Sequence, residues 1–287
     1  MRRCPYCDRT GKFLFKFDTR IFIRCNQCDL IFKETPVHPR EIIDYYQKEF
    51  FNDYAADQIG GSRNKLFDHI LDLIEENKQT GTLLDIGAGC GFFLLAAKER
   101  GWEIRGIEPS KQSVEVARNN HGLDIFFGTF PEYRSDSKYD VITFINVLDH
   151  SLTPWTEISR ASQLLRPGGL IYLRFPNGLL HSGAYLVSHK FGLSSSMAKF
   201  LVFHEYSFTP NFIFQLLDDH GFVETTILNS PPSQGDPYKL FADATLANRL
   251  KKVIYSIARF AEISSCRHLY LGTSLEVISN CAGAPSV

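Results

Sequence analysis

The sequence has 287 residues, 44% hydrophobic and 22% charged, with a formal net charge of −1. That is the balance of a folded globular chain, and it supplies no global field to draw in nucleic acid or an anionic membrane. No apolar run reaches the roughly 20 residues of a bilayer span, and Met1-Arg2-Arg3 leads into Cys4 and polar residues rather than the apolar stretch of a signal peptide, so the seven cysteines are expected in the cytoplasm, where metal ligation is favoured over disulfides.

Residues 1–40 open the chain as a small unit. Cys4-Pro-Tyr-Cys7 and Cys25-Asn-Gln-Cys28 bracket an alternating stretch (Phe13, Phe15, Phe17, then Ile21 and Ile23 beyond Asp18-Thr19) that predicts a β-hairpin. A hairpin would bring the two knuckles together, and four thiolates around one ion is the closed arrangement of structural zinc. A redox CxxC normally occurs once, beside a βαβ unit, so two matched pairs favour the metal. The unit is too short to bury much apolar area, so bound zinc would supply folding free energy, and four sulfur ligands leave no position for activating water. Nine Lys/Arg against four acids give this segment a local charge of +5.

Residues 41–80 have helical spacing (Ile42, Ile43, Tyr46, then Phe67, Ile70, Leu71, Ile74), interrupted at Gly60-Gly61. From 81 to 287 strands and helices alternate. Strands are predicted at 82–87, 103–108, 123–127, 140–145, 169–175, 221–228 and 269–279, and helices at 91–100, 110–120, 154–165 and 210–220. The order implies an α/β, doubly wound, mostly parallel seven-stranded Rossmann-like sheet. Segments 178–209 and 229–267 lie outside this pattern as insertions. The second includes a basic amphipathic stretch, 246–261. Docking on its own domain with a solvated basic face is the expectation, and peripheral membrane contact the alternative.

The densest signal is Asp85-Ile86-Gly87-Ala88-Gly89-Cys90-Gly91 at the end of the first core strand. Glycine is required where backbone turns sharply or approaches a ligand closely, and in such sheets this turn lies where ligands bind. Dinucleotide folds want a third glycine where Phe92 stands. Glu108 ends the next strand, placed to accept from both hydroxyls of an adenosine ribose. A tight structural turn without ligand is the bland alternative.

Asp-x-Gly-x-Gly-x-Gly with the acid at the next strand end resembles motif I of the class I S-adenosylmethionine (SAM)-dependent methyltransferases. The resemblance covers about residues 80–228. It extends to Gly128-Thr129-Phe130 after the third strand, to Asn146-Val147-Leu148-Asp149-His150 after the fourth, and to Leu164-Leu165-Arg166-Pro167-Gly168-Gly169 before the fifth. It implies SAM contacts from Asp85, Gly87, Ala88, Gly89, Gly91, Glu108, Pro109, Thr129, Phe130, Asn146 and Val147. Many members carry an acid for the adenine amino group where Thr129 stands. In related enzymes a helix before the core closes over SAM, which would bring Tyr54 to the cofactor. The joined cysteine module is similar to a bacterial architecture that includes sugar C-methyltransferases, and ubiquinone-type methylases share the core.

A hydroxyl or acidic carbon acceptor must lose a proton. His150 is expected on the same rim as the glycine turn, and an imidazole is the side-chain type suited to act as a base near neutral pH. Asp149 would orient it or cap the following helix. His204, with Glu205 and Tyr206, is a second polar cluster in the 178–209 insertion, which should cover the acceptor side. The expectation is therefore methylation of a small molecule: a sugar, a polysaccharide precursor or a secondary metabolite. The alternatives are an RNA methyltransferase gripping phosphates with the basic module, and a non-catalytic SAM-binding assembly protein. Against RNA, Asn146-Val147-Leu148-Asp149 is not the Asn/Asp-Pro-Pro-aromatic segment of amine methylation, and charge elsewhere is balanced.

Overall fold

A computed structural model of the chain describes residues 2–38, 41, 44–45, 51, 61–193, 200–233 and 244–282. Strands β1 (Arg2–Arg3), β2 (Thr10–Phe17), β3 (Arg20–Cys25) and β4 (Ile31–Lys33) make an antiparallel N-terminal sheet. Asp18 takes the left-handed backbone, φ 55°, that the turn between β2 and β3 needs. Phe13 faces Ile23 while Phe15 faces Phe22, so Leu14 is an extra residue in β2. A bulge of this kind breaks the period-two alternation. Phe15 is buried, and Phe13 is turned out to 64% exposure.

The main body contains α1 (Asn64–Asn77), β5 (Thr82–Ile86), α2 (Phe92–Glu99), β6 (Glu103–Glu108), α3 (Lys111–His121), β7 (Ile125–Phe127), β8 (Tyr139–Ile145), α4 (Pro154–Leu164) and β9 (Leu165–Pro176). Then follow α5 (Gly178–Lys190), β10 (Tyr206–Ser207), α6 (Pro210–Asp218), β11 (Phe222–Asn229), α7 (Ala244–Ser264) and β12 (Ser274–Cys281). Seven strands form one sheet in the order β11-β12-β9-β8-β5-β6-β7. All pairings are parallel except those of β12, which runs against both neighbours. Strand order turns around at β5, flanked by β6 and β8, and the crevice at such a switch point is where ligands bind in open α/β sheets. The near-continuous apolar runs of β5 and β8 are buried on both faces, as parallel strands require. Helix α1 packs Leu66, Ile70, Leu71 and Ile74 into one core layer with Phe93 and Leu94 of α2. Ser110 caps α3 by accepting from Ser113 N, and Gly122 ends that helix in a left-handed conformation.

The 178–209 insertion is stitched to the N-terminal sheet. β10 pairs antiparallel with β4, Tyr206 opposite Phe32 and Ser207 opposite Ile31, which makes that sheet five-stranded. Phe15, Phe22 and Ile31 share a core cluster with Tyr185 and Phe203 of the insertion. On the other side Cys4, Cys25, Cys28, Leu30 and Phe32 belong to the same continuous core as Phe208, Phe212 and Leu216 of the main body. The Tyr6 ring meets Phe212 edge-on at 5.3 Å. The cysteine-bearing sheet is a wall of the main body rather than a bead tethered to it.

Helix α7 docks on its own domain, but not through its apolar stripe. It docks through Ala258 and Glu262, while Val253, Ile257, Phe260 and Ile263 point outward, Phe260 at 74% exposure. The buried Glu262 accepts from the backbone and side-chain amides of Asn229, at 2.8 and 2.7 Å, and this polar anchor sets the rotation of the helix. No helix among the described residues is long and apolar enough to cross a membrane.

Candidate active site and cysteine centre

At the carboxyl ends of β5, β6 and β8 lies a cleft of about 430 Å³. The glycine turn forms its floor. Gly87 and Gly89 have φ of 73° and 54°, and a Cβ on Gly87 would lie 2.4 Å from Val147, so only glycine keeps this main chain bare. Asp85, Ala88, Glu108, Pro109, Thr129, Phe130, Asn146, Val147 and His150 line the cleft as well. Gly91 does not. Its Cβ would strike Leu123 at 2.6 Å, so this third glycine serves the packing of α2 on its neighbours.

The two acids are buried and held by neutral donors. Glu108 accepts from Gly89 N and from Ser110 N, each at 2.8 Å, one on each carboxylate oxygen. This joins the glycine turn to the start of α3 and leaves acceptor capacity on both oxygens. Burial raises its pKa to about 7, against the backbone donors of Ser110 and Gly89. Asp85 accepts from Thr143 Oγ1 at 2.6 Å, and burial likewise lifts it to about 7. Acids poised this way beside bare backbone fit the hydroxyl and ammonium donors of an adenosyl amino acid such as SAM.

Other predicted residues behave differently. The Thr129 hydroxyl is turned to Glu132 Oε2 at 2.7 Å, so this hydroxyl is committed within its own loop. Asn146 adopts φ 56° and accepts on Oδ1 from Arg174 Nη1 at 2.6 Å. Arg174 is 5% exposed and also donates to Ser230 Oγ at 2.8 Å, so it fixes this loop from beneath. Tyr54 lies outside the described residues. Arg63, at the N-terminus of α1, and Glu157 of α4 line the cleft without having been singled out in the sequence. Burial raises Glu157 to about 7, although Ser151 donates to it at 2.6 Å.

Asp149, His150 and His204 come together at one end of the cleft. Asp149 Oδ2 stands 3.8 Å from His150 Nε2 and 3.4 Å from His204 Nε2. The two imidazole rings are 3.8 Å apart. Of the three only His150 reaches the cleft wall. His204 is carried by the insertion immediately before β10. Lys33 of β4 pairs with the adjacent Glu205 at 3.0 Å, the Glu205 side chain buried and that of Lys33 nearly so. Tyr206 donates to Leu152 O at 3.0 Å. The N-terminal sheet therefore holds the segment that delivers His204.

The four N-terminal cysteines converge, with all four sulfurs within 4.8 Å of one another. Sγ–Sγ separations are 3.6 Å for Cys4–Cys28, 3.5 Å for Cys7–Cys25 and 3.6 Å for Cys7–Cys28. A tetrahedron with Zn–S of about 2.3 Å has edges of about 3.8 Å, so this donor set fits zinc with little adjustment. Backbone N–H of Gln27 points at Cys25 Sγ at 3.4 Å, the kind of donor a thiolate accepts.

Comparison with known proteins agrees with this geometry. A family model described as a methyltransferase domain matches residues 59–233. The chain belongs to that methyltransferase family. It is 30% identical over 130 residues to a ubiquinone biosynthesis O-methyltransferase of Pasteurella multocida, covering 39% of this chain and 54% of that protein. To the Leptothrix cholodnii protein of the same name it is 32% identical over 101 residues, 32% of this chain and 42% of that one. The chain thus spans about half the length of these curated relatives. Among solved structures, a SAM-dependent methyltransferase from Archaeoglobus fulgidus superposes with a TM-score of 0.53 at 17% identity, over 81% of this chain and 100% of that one. A magnesium protoporphyrin IX methyltransferase from Synechocystis gives 0.52 at 17% identity, over 85% and 99%. These likenesses confirm the fold.

Proposed function

We propose that the chain transfers a methyl group from SAM to a hydroxyl of a small-molecule acceptor in a biosynthetic route, as a cytoplasmic enzyme. The observation that carries this is the joining of Glu108 to the glycine turn: a buried acid with open acceptor sites, facing a cleft floored by bare backbone. SAM supplies an electrophilic methyl on its sulfonium. Of the residues lining the cleft, Glu108 would accept from the ribose hydroxyls, Phe130 and Pro109 would hold the adenine, and Arg63 would hold the carboxylate of the methionine moiety. Holding the acceptor in line with the methyl contributes up to ~7–11 kcal/mol. The acceptor's proton is handled by the Asp149–His150–His204 cluster at the far end.

A hydroxyl acceptor is supported by the O-methyltransferase relatives. The basic N-terminal segment favours a small molecule over RNA. Arg2, Arg3, Arg24 and Lys33 are engaged by Glu34, Asp8, Asp29 and Glu205, which leaves less free charge for phosphates. The cysteines hold structural zinc in this reading. Calorimetric titration with S-adenosylhomocysteine and transfer of labelled methyl to a panel of phenols and sugar nucleotides test it. Absence of S-adenosylhomocysteine binding removes the proposal, and binding without any labelled product leaves a SAM-sensing subunit as the better account.

A further inference from the structure

We infer that Asp149, His150 and His204 form a second metal site, which takes a divalent first-row cation at the acceptor end of the cleft. The inference rests on the methyltransferase reading and specifies how the acceptor's oxygen is held there.

Asp149 is 2% exposed, and neither carboxylate oxygen has a hydrogen-bond donor. A buried carboxylate without donors is costly, by several kcal/mol, unless a cation faces it. Two imidazole Nε2 atoms stand 3.4 and 3.8 Å from its Oδ2, too long for hydrogen bonds. One ligand atom from each residue lies within 4.8 Å of the others. An ion bound at about 2.1 Å to each would hold its ligand atoms about 3.0–3.4 Å apart. His204 meets that already, and His150 needs only a small closing shift.

Two imidazoles and one carboxylate on one side of an ion leave the opposite positions open. Of the three residues His150 lines the cleft, which puts the open positions on that side in this inference. The matching ligand is an acceptor oxygen, with the hydroxyl or adjacent oxygens of a phenol or sugar as the substrate class. A bound cation would lower the pKa of that hydroxyl. The Cys4, Cys7, Cys25 and Cys28 centre is separate in residues and chemistry, since thiolates favour zinc while this set of nitrogens and oxygen also suits Mn²⁺, Fe²⁺ or Co²⁺.

The test uses the full chain with its cysteine centre loaded with zinc. Co²⁺ is titrated in by calorimetry, and the imidazole resonances of His150 and His204 are followed for paramagnetic shifts. The expected result is one saturable Co²⁺ site per chain with both histidines shifted. In Asp149→Asn and His204→Gln, affinity for Co²⁺ should fall about 100-fold or more, while the zinc content of the cysteine centre stays unchanged. Thermal melting and S-adenosylhomocysteine binding of each variant report whether it has folded. Wild-type protein that binds S-adenosylhomocysteine yet shows no saturable Co²⁺ site overturns the inference and leaves the methyltransferase reading standing. Equal Co²⁺ affinity in wild type and in both variants overturns it too. Failure to bind S-adenosylhomocysteine counts against the methyltransferase reading instead.

Discussion

Glu108 carries two consequences that can be separated by pH. Burial lifts its carboxyl from an ordinary 4.5 to about 7, and Asp85 rises from 3.8 to about 7. A raised carboxyl pKa means that the folded chain holds its proton more tightly than the unfolded one. The associated stability is fully present below about pH 4 and is lost as pH rises through about 7. The ligand-free protein should therefore melt at a higher temperature near pH 5 than near pH 8, checked by calorimetric scans. In the proposed reading ligand binding runs the other way, because ribose hydroxyls would donate to the ionised carboxylate. Affinity for S-adenosylhomocysteine should rise as pH passes through about 7 and then level off, with proton release visible in buffers of different ionisation enthalpy. Glu108→Gln should weaken binding by roughly 100-fold, on the order of two charge-assisted hydrogen bonds, and flatten that pH dependence. An unchanged pH profile in this variant would place the titrating group elsewhere.

Motif residues of this kind were legible because they are local: a strand, three glycines and an acid at the next strand end repeat a fixed spacing. Even there Gly91 proved to be a packing glycine, since spacing cannot tell a clash with ligand from a clash with Leu123. Arg63, Glu157 and Arg174 were not legible. Each is an ordinary charged residue in sequence, and only the packing of α1, α4 and β9 around the cleft gives it a role.

Among elements, β10 was the least readable and carries the most consequence. Two residues have no periodicity to detect, and their partner β4 is distant in the chain. The Lys33–Glu205 pair guards this junction, with side-chain exposures of 10% and 4%. Removing one partner of a buried pair strands the other, at a cost of about 3–5 kcal/mol, whereas replacing both with apolar residues is often neutral. Lys33→Met should therefore destabilise the protein by that order, and Lys33→Met combined with Glu205→Leu should recover most of it, as read by urea denaturation. The same junction contains Gly178, whose Cβ would lie 2.7 Å from the carbonyl of Phe208. Gly178→Ala should cost ~1–3 kcal/mol by forcing α5 off that strand, although Gly178 is not a turn glycine.

At the scale of the whole molecule, the hairpin and its two knuckles were readable as a module, but their union with the main body was not. Hydrophobic pattern reveals which residues want burial without naming what they will meet, and Leu30 and Phe32 of the N-terminal unit lie in the same cluster as Phe175, Phe208 and Phe212. If zinc fixes Cys4, Cys7, Cys25 and Cys28, its free energy stabilises this shared core and not an appendage. Chelation, or Cys25→Ser combined with Cys28→Ser, should then lower the melting temperature of the entire chain in one transition. S-adenosylhomocysteine binding should weaken as well, and His204 should become exposed to chemical modification because β10 loses β4. A module that merely hung from the main body would behave otherwise: two separate transitions, the upper one unmoved by chelator, and undiminished S-adenosylhomocysteine affinity. Differential scanning calorimetry with and without chelator distinguishes the two cases. The single-transition result is the one the continuous packing from Cys4 to Leu216 demands.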